Sequence, residues 1–232
     1  VRPGAILFPV PSILDLERRI GELNNADICY ATVNDFWVME RRLTHRIGRN
    51  LTAVMCSAIE CNVPSTIHMD YMNRPDENVF ISELAGYHHN RLSWPTFYKD
   101  YGDKLLYFIA DRSEKALTVP TEEYPLNFLA QASFAILTCL MVIGGSPLIV
   151  LFGADGGRIG KDLYFADWQS DSESRLRYDT LIFNKTMPDI LERVNKLYDV
   201  KPTILNCSEQ SFYTPFEKVS YNKAIKCLNK NS

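Results

Sequence analysis

From Pro125 to Ala154 the chain carries no charged side chain, and no other feature restricts its fold as tightly. An apolar segment of this length suits either a transmembrane helix of about 20 residues or the interior of an α/β core. Gln131, Ser133 and Thr138 interrupt it with polar groups, and Gly144-Gly145-Ser146-Pro147 ends any helix before it could span a bilayer. The sequence therefore predicts a buried helix from about Leu126 to Ile143, a tight turn, and a buried strand from Leu148 to Phe152. No transmembrane segment is expected.

Composition fits that reading. With 232 residues, 46% hydrophobic and 23% charged, the chain can bury one sizeable core, and its composition is not that of a disordered or fibrous chain. Lys plus Arg number 25 against 28 Asp plus Glu, so the formal charge is 25 − 28 = −3, which argues against a nucleic-acid binder. One domain covering 1–232 is expected.

Short apolar runs alternate with amphipathic ones. Ala5 to Val10 predicts a strand, and Ile13, Leu14, Leu16, Ile20 and Leu23 share a helical face behind a Ser12-x-x-Asp15 capping signature. Ile28 to Val33 predicts a second strand, Phe36 to Arg46 a helix and Leu51 to Cys56 a third strand. Residues 59–123 are less regular, with strand candidates at Ser65 to Met69, Val79 to Ser82 and Leu105 to Ile109, and this region is expected to cover a site. After the charge-free helix and strand come a Gly/Asp/Ser-rich loop over Gly153 to Ser174, a helix from about Pro188 to Tyr198, a strand at Thr203 to Asn206 and a terminal helix from about Ser220. The alternation predicts an α/β fold: a single Rossmann-like domain with a mainly parallel sheet flanked by helices.

The six cysteines are scattered through mostly apolar segments without a CxxC pair, which favours reduced, buried thiols in a cytoplasmic protein. Three Asn-x-Ser/Thr tripeptides begin at Asn50, Asn184 and Asn206. They carry little weight, since the pattern is frequent by chance.

In open α/β sheets ligands bind beyond the carboxyl ends of the strands. That rule collects Pro11 and Ser12, Asn34 and Asp35, Ser57, the run Gly153-Ala154-Asp155-Gly156-Gly157, and Cys207-Ser208. Small, polar and acidic residues at such places suit a nucleotide, with glycines for close approach and helix starts for phosphate. Ser12 either meets a phosphate or only caps its helix. Asp155 suits a sugar hydroxyl or a metal, with Arg158 and Lys161 meeting phosphate, unless the segment is simply a solvated Gly-rich turn. His68, Asp70, His88 and His89 form too loose a set for a dedicated metal cage. Trp94, Phe97, Tyr98 and Tyr101 either stack on a base or sugar ring or pack internally. Neither a GxGxxG nor a Walker motif is present.

Taken in order, Pro11-Ser12, Val33-Asn34-Asp35-Phe36, Ser133 ahead of Ile149-Val150-Leu151-Phe152-Gly153-Ala154-Asp155, Leu197-Tyr198-Asp199-Val200-Lys201 before Ile204-Leu205-Asn206-Cys207-Ser208, and Phe216-Glu217-Lys218-Val219-Ser220 running into a helix resemble the MptE-like domain family. That family is named for 6-hydroxymethylpterin diphosphokinases. The layout is also similar to bacterial sialyltransferases that use CMP-sialic acid and to flagellin glycosylation factors. The resemblance implies that Pro11 and Ser12 lie near nucleotide phosphates, that Asn34 touches the nucleotide or donor sugar, and that Ser133 and Asp155 line the donor pocket. Two departures stand out. Val10 replaces the usual glycine before Pro-Ser, and no histidine occurs near Ile182 to Asn184, where the sialyltransferase-like base would fall.

The leading expectation is a nucleotide-dependent transferase, glycosyltransferase-like, taking a nucleotide-activated sugar such as a CMP-sugar and a glycan or small-molecule acceptor. Arg158, Lys161 and Arg112 are candidate cations for the leaving phosphate, and Asp155, His68 and His88 candidate bases. The nucleotide contacts are assigned to Pro11, Ser12, Asn34, Asp35, Ser133, Gly153, Asp155, Gly156, Arg158 and Lys161. One alternative is pyrophosphoryl transfer from ATP to a small alcohol such as a hydroxymethylpterin, which would require Mg. Another is a non-catalytic nucleotide- or partner-binding domain of the same fold. No cofactor is otherwise assigned, no metal site is expected, and a homo-oligomer is left open.

Overall fold

The computed structural model describes residues 2–8, 12–23, 27–33, 43, 46, 52–56, 73, 78–83, 104–108, 132–157 and 173–231. Among the described residues are eight short strands, all but the charged last one on mainly apolar runs: β1 (Gly4–Leu7), β2 (Cys29–Val33), β3 (Ala53–Cys56), β4 (Val79–Glu83), β5 (Leu105–Phe108), β6 (Leu148–Phe152), β7 (Thr203–Asn206) and β8 (Glu217–Lys218). They form one sheet in the order β5-β4-β3-β2-β1-β6-β7-β8. Every neighbouring pair is parallel. Two strand candidates from the irregular region, Val79 to Ser82 and Leu105 to Ile109, are thus β4 and β5 and extend this sheet. The third, Ser65 to Met69, lies outside the described residues, as does most of the Phe36 to Arg46 helix.

Because successive side chains in a strand point to opposite faces, the central strands feed two cores. On one face Ala5, Leu7, Val150 and Phe152 meet α1 (Ile13–Arg19) and α4 (Tyr221–Asn231) through Ile13, Leu16, Ala224 and Leu228. On the other, Ile6, Ile149 and Leu151 meet α2 (Ala132–Ile143) and α3 (Glu173–Tyr198) through Phe134, Leu137, Phe183 and Met187. A parallel sheet covered on both faces needs continuous apolar strands, and β6 is buried at every position.

The charge-free segment finds its explanation here. In the described part of α2, residues 134–139 are all buried, and Phe134 stacks on Phe183 of α3 with ring centroids 4.7 Å apart. α2 therefore packs against both sheet and helix and has little surface on which to carry a charge. The turn after it is a Schellman closure: Ser146 N–H reaches the Met141 carbonyl at 3.0 Å, Gly145 N–H reaches Val142 at 2.9 Å, and Gly145 has φ 82°. Among the described residues no helix is long and apolar enough to cross a membrane.

Two local expectations are corrected. The helix expected to begin at Pro188 begins at Glu173 and runs through that proline. An interior proline costs about 3 kcal/mol. Phe183, Met187, Ile190 and Val194, all buried on one face, each return about 1.5–3 kcal/mol, so packing wins. The last two residues of the expected Gly/Asp/Ser-rich loop, Glu173 and Ser174, are thus helical. The second correction concerns Ser12, whose side chain makes no cap hydrogen bond to α1. Asp15, expected to complete the capping box, instead pairs with Arg18 at 3.3 Å.

Candidate functional site

The chain leaves β1 in one direction, through β2 to β5, and returns to β6 on the other side of β1. This reversal makes the carboxyl ends of β1 and β6 the topological switch point, where crossovers diverge and leave a crevice. Ser12 follows β1 there, Asp155 follows β6, and Ser208 follows β7.

These three residues meet. Ser12 Oγ donates to Asp155 Oδ1 at 2.5 Å, and the Ser12 backbone N–H donates to Asp155 Oδ2 at 3.3 Å. The Ser208 side chain is also hydrogen-bonded to Asp155. The hydroxyl that sequence spacing assigned to a phosphate or a cap is therefore turned onto a carboxylate of the neighbouring strand end. Asp155 is only 1% exposed. Loss of water raises its pKa above the ordinary carboxylate value, the bonds from Ser12 and Ser208 oppose that rise, and Asp15 adds a smaller upward push.

Tyr221, the first residue of α4, closes the back of the site. Its phenol donates to the Ser12 carbonyl at 2.6 Å, and its ring packs on Phe152 with centroids 5.6 Å apart. Burial drives the Tyr221 pKa upward, keeping the phenol protonated as a donor.

The start of the Gly-rich segment is a buried strap. Residues 153–157 are all buried. Asn206 Nδ2 donates to the Ala154 carbonyl at 3.1 Å, Ser211 Oγ donates to the same carbonyl at 2.5 Å, and Phe212 N–H donates to the Asp155 carbonyl at 2.7 Å. Thr180 Oγ1 donates to the Gly156 carbonyl at 2.8 Å. The reading of a solvated turn is corrected over these residues, because the chain between β7 and β8 lies across them. Gly156 has φ 70°, and a Cβ there would stand 2.9 Å from Thr180 Cγ2 and 3.0 Å from the Tyr213 ring. Gly156→Ala should accordingly cost about 1–3 kcal/mol, read as a lower denaturant midpoint.

Ser12, Gly153, Asp155 and Gly156 are thus brought to one edge. Ser133 stands near the start of α2, and only its backbone is described. Pro11, Asn34, Asp35, His68, His88, Arg112, Arg158 and Lys161 lie outside the described residues. Among the described residues no group of three or more His, Cys, Asp or Glu stands together as a metal cluster.

No family model, curated protein or solved structure matches the chain.

The geometry adds four residues that the sequence reading did not place in the site: Tyr221, Thr180, Asn206 and Ser211. A signal existed for Tyr221. A terminal helix that follows a parallel strand must begin at the carboxyl edge, so its first residue is delivered to the crevice. Asn206, read from the sequence as a strand end, part of a family motif and part of a glycosylation tripeptide, is fully buried, with its amide spent on Ala154 and Ser211. Cys29, Cys139, Cys207 and Cys227 are free, and burial lifts the Cys29, Cys139 and Cys207 thiols, Cys139 to about 12, which keeps them unreactive.

Proposed function

We propose that the protein is a nucleotide-dependent transferase that takes a nucleotide-activated sugar, such as a CMP-sugar, at the carboxyl edge of β1, β6 and β7. The observation that carries this reading is Asp155: a buried carboxylate of raised pKa, held by two serines at the sheet's switch point. A structural position gains little from a charge that its surroundings disfavour, whereas a general base gains from a pKa lifted toward the working pH. Asp155 is the base in this reading, and because it is almost fully covered it takes the proton of the acceptor hydroxyl through Ser12. Ser12 N–H and Oγ already serve Asp155, so the phosphate contacts fall to the cations of the Gly-rich segment, Arg158 and Lys161. The motif resemblance to sialyltransferase-like and MptE-like domains supports the same ligand class.

Titration calorimetry with CMP-, UDP- and GDP-sugars, and with ATP plus Mg, tests it. Saturable heat from one nucleotide sugar is the expected outcome. Binding of Mg-ATP alone would move the reading to pyrophosphoryl transfer, and no heat with any nucleotide at millimolar concentration would overturn it.

A further inference from the structure

We propose that Ser12 is a nucleophile toward phosphorus electrophiles, with Asp155 behind it as proton acceptor. Three serine hydroxyls gather around the buried carboxylate and the strap, and they differ in access. Ser208 is 2% exposed and Ser211 4% exposed, and Ser211 spends its proton on the Ala154 carbonyl. Ser12 is only half-buried, so it is the one of the three that a ligand in the crevice can reach.

The backbone of Ser12 is fixed from two sides. Asp155 Oδ2 takes its N–H at 3.3 Å, and the Tyr221 phenol holds its carbonyl at 2.6 Å. Between these anchors the hydroxyl donates to Asp155 Oδ1 at 2.5 Å, the distance and direction a nucleophile–base pair requires, and it also lies within hydrogen-bonding reach of the Tyr221 phenol. A serine at the start of a helix usually turns its oxygen onto the first-turn amides, and here it does not. The proton thereby faces the carboxylate, and the oxygen keeps a lone pair for an electrophile beside the Tyr221 phenol.

The step balances as follows. Ser12 Oγ forms a bond to phosphorus, the bond from phosphorus to the leaving oxygen breaks, and the serine proton passes to Asp155 Oδ1 and on to that leaving oxygen. An acceptor hydroxyl or water then bonds to phosphorus as the bond to Ser12 Oγ breaks, and its proton passes through Asp155 to Ser12 Oγ, restoring the hydroxyl. The natural electrophile is a phosphoric ester or anhydride, and on it Ser12 transfers the phosphorus-bearing group, a reaction distinct from the sugar transfer in which Ser12 only relays a proton. Only that assignment rests on the nucleotide reading, whereas the nucleophile rests on the Ser12–Asp155–Tyr221 geometry.

A fluorophosphonate probe, which loses fluoride to an activated serine, tests it directly. Peptide mapping of the unaltered protein should place one adduct on Ser12, absent when the protein is labelled in urea. Ser12→Ala should remove the adduct, and Asp155→Asn, with its fold checked by circular dichroism, should slow labelling at least 100-fold. An unmodified Ser12, equal labelling in urea, or an undiminished rate in folded Asp155→Asn would each overturn the proposal. Labelling without nucleotide heat in the calorimetry would remove the transferase reading and leave the nucleophile standing. Nucleotide binding without labelling would do the reverse.

Discussion

Asp155→Asn is expected to leave the protein at least as stable as the parent at neutral pH while reducing transferase activity at least 100-fold. The amide has the shape of the carboxylate and can keep its contacts: Oδ1 accepts from the Ser12 N–H, and Nδ2 donates to a Ser12 hydroxyl that has turned to accept. What disappears is a charge that burial disfavours. The sign of the pH dependence follows. Asp155 has a folded-state pKa above its unfolded one, so it favours the fold fully while protonated in acid, and that contribution is lost as pH rises through the raised value. Parent and variant should therefore converge in acid and separate toward neutrality, with the variant's stability flatter across the interval. Denaturant titrations at a series of pH values measure this. A variant that is strongly destabilised at neutral pH would show that the ionised carboxylate is a structural tie. Loss of activity at the 100-fold level is the range general-base removal produces.

The second large effect lies in the core. Phe134→Ala should lower stability by about 3–5 kcal/mol, the range for removing a buried phenylalanine. Phe134 is 2% exposed and is ringed by Phe8, Phe183, Tyr213 and Phe216 at centroid distances of 4.7, 4.7, 5.2 and 5.8 Å. Four aromatic rings from three separate parts of the chain cannot all relax into the space, which places the cost toward the upper end. Guanidinium unfolding should show a lower midpoint at unchanged slope. Because Tyr213 also touches Gly156 and the site strap, nucleotide affinity should weaken in the same variant. A Leu replacement that keeps most of the volume should recover most of the stability.

Strand content was legible where a strand is buried on both faces. Leu148 to Phe152 and Thr203 to Asn206 appear in the sequence as apolar runs closed by turn residues, and the structure has strands with those bounds. Helix bounds were legible only where no local rule opposed packing. Pro188 reads as a start because proline's missing N–H is a local property, while the burial of Phe183 and Met187 that carries the helix through it is tertiary. The site divides the same way. Ser12 and Asp155 were found because each follows a strand. Their pairing was hidden, because 143 residues separate them and the strand order that makes β1 and β6 neighbours is written in no local pattern. Ser12 resembled a helix cap for the same reason: the competing acceptor is remote in sequence.

Among the described residues the sheet ends at β8, two residues long, with both Glu217 and Lys218 exposed. A foreign strand laid along that edge would find almost no ladder to extend and would have to pair with charged side chains. On that side the sheet is closed to growth by strand addition, so the molecule is protected there against the edge-to-edge association that open parallel sheets invite, and a partner approaching from this side must dock on side chains instead of backbone.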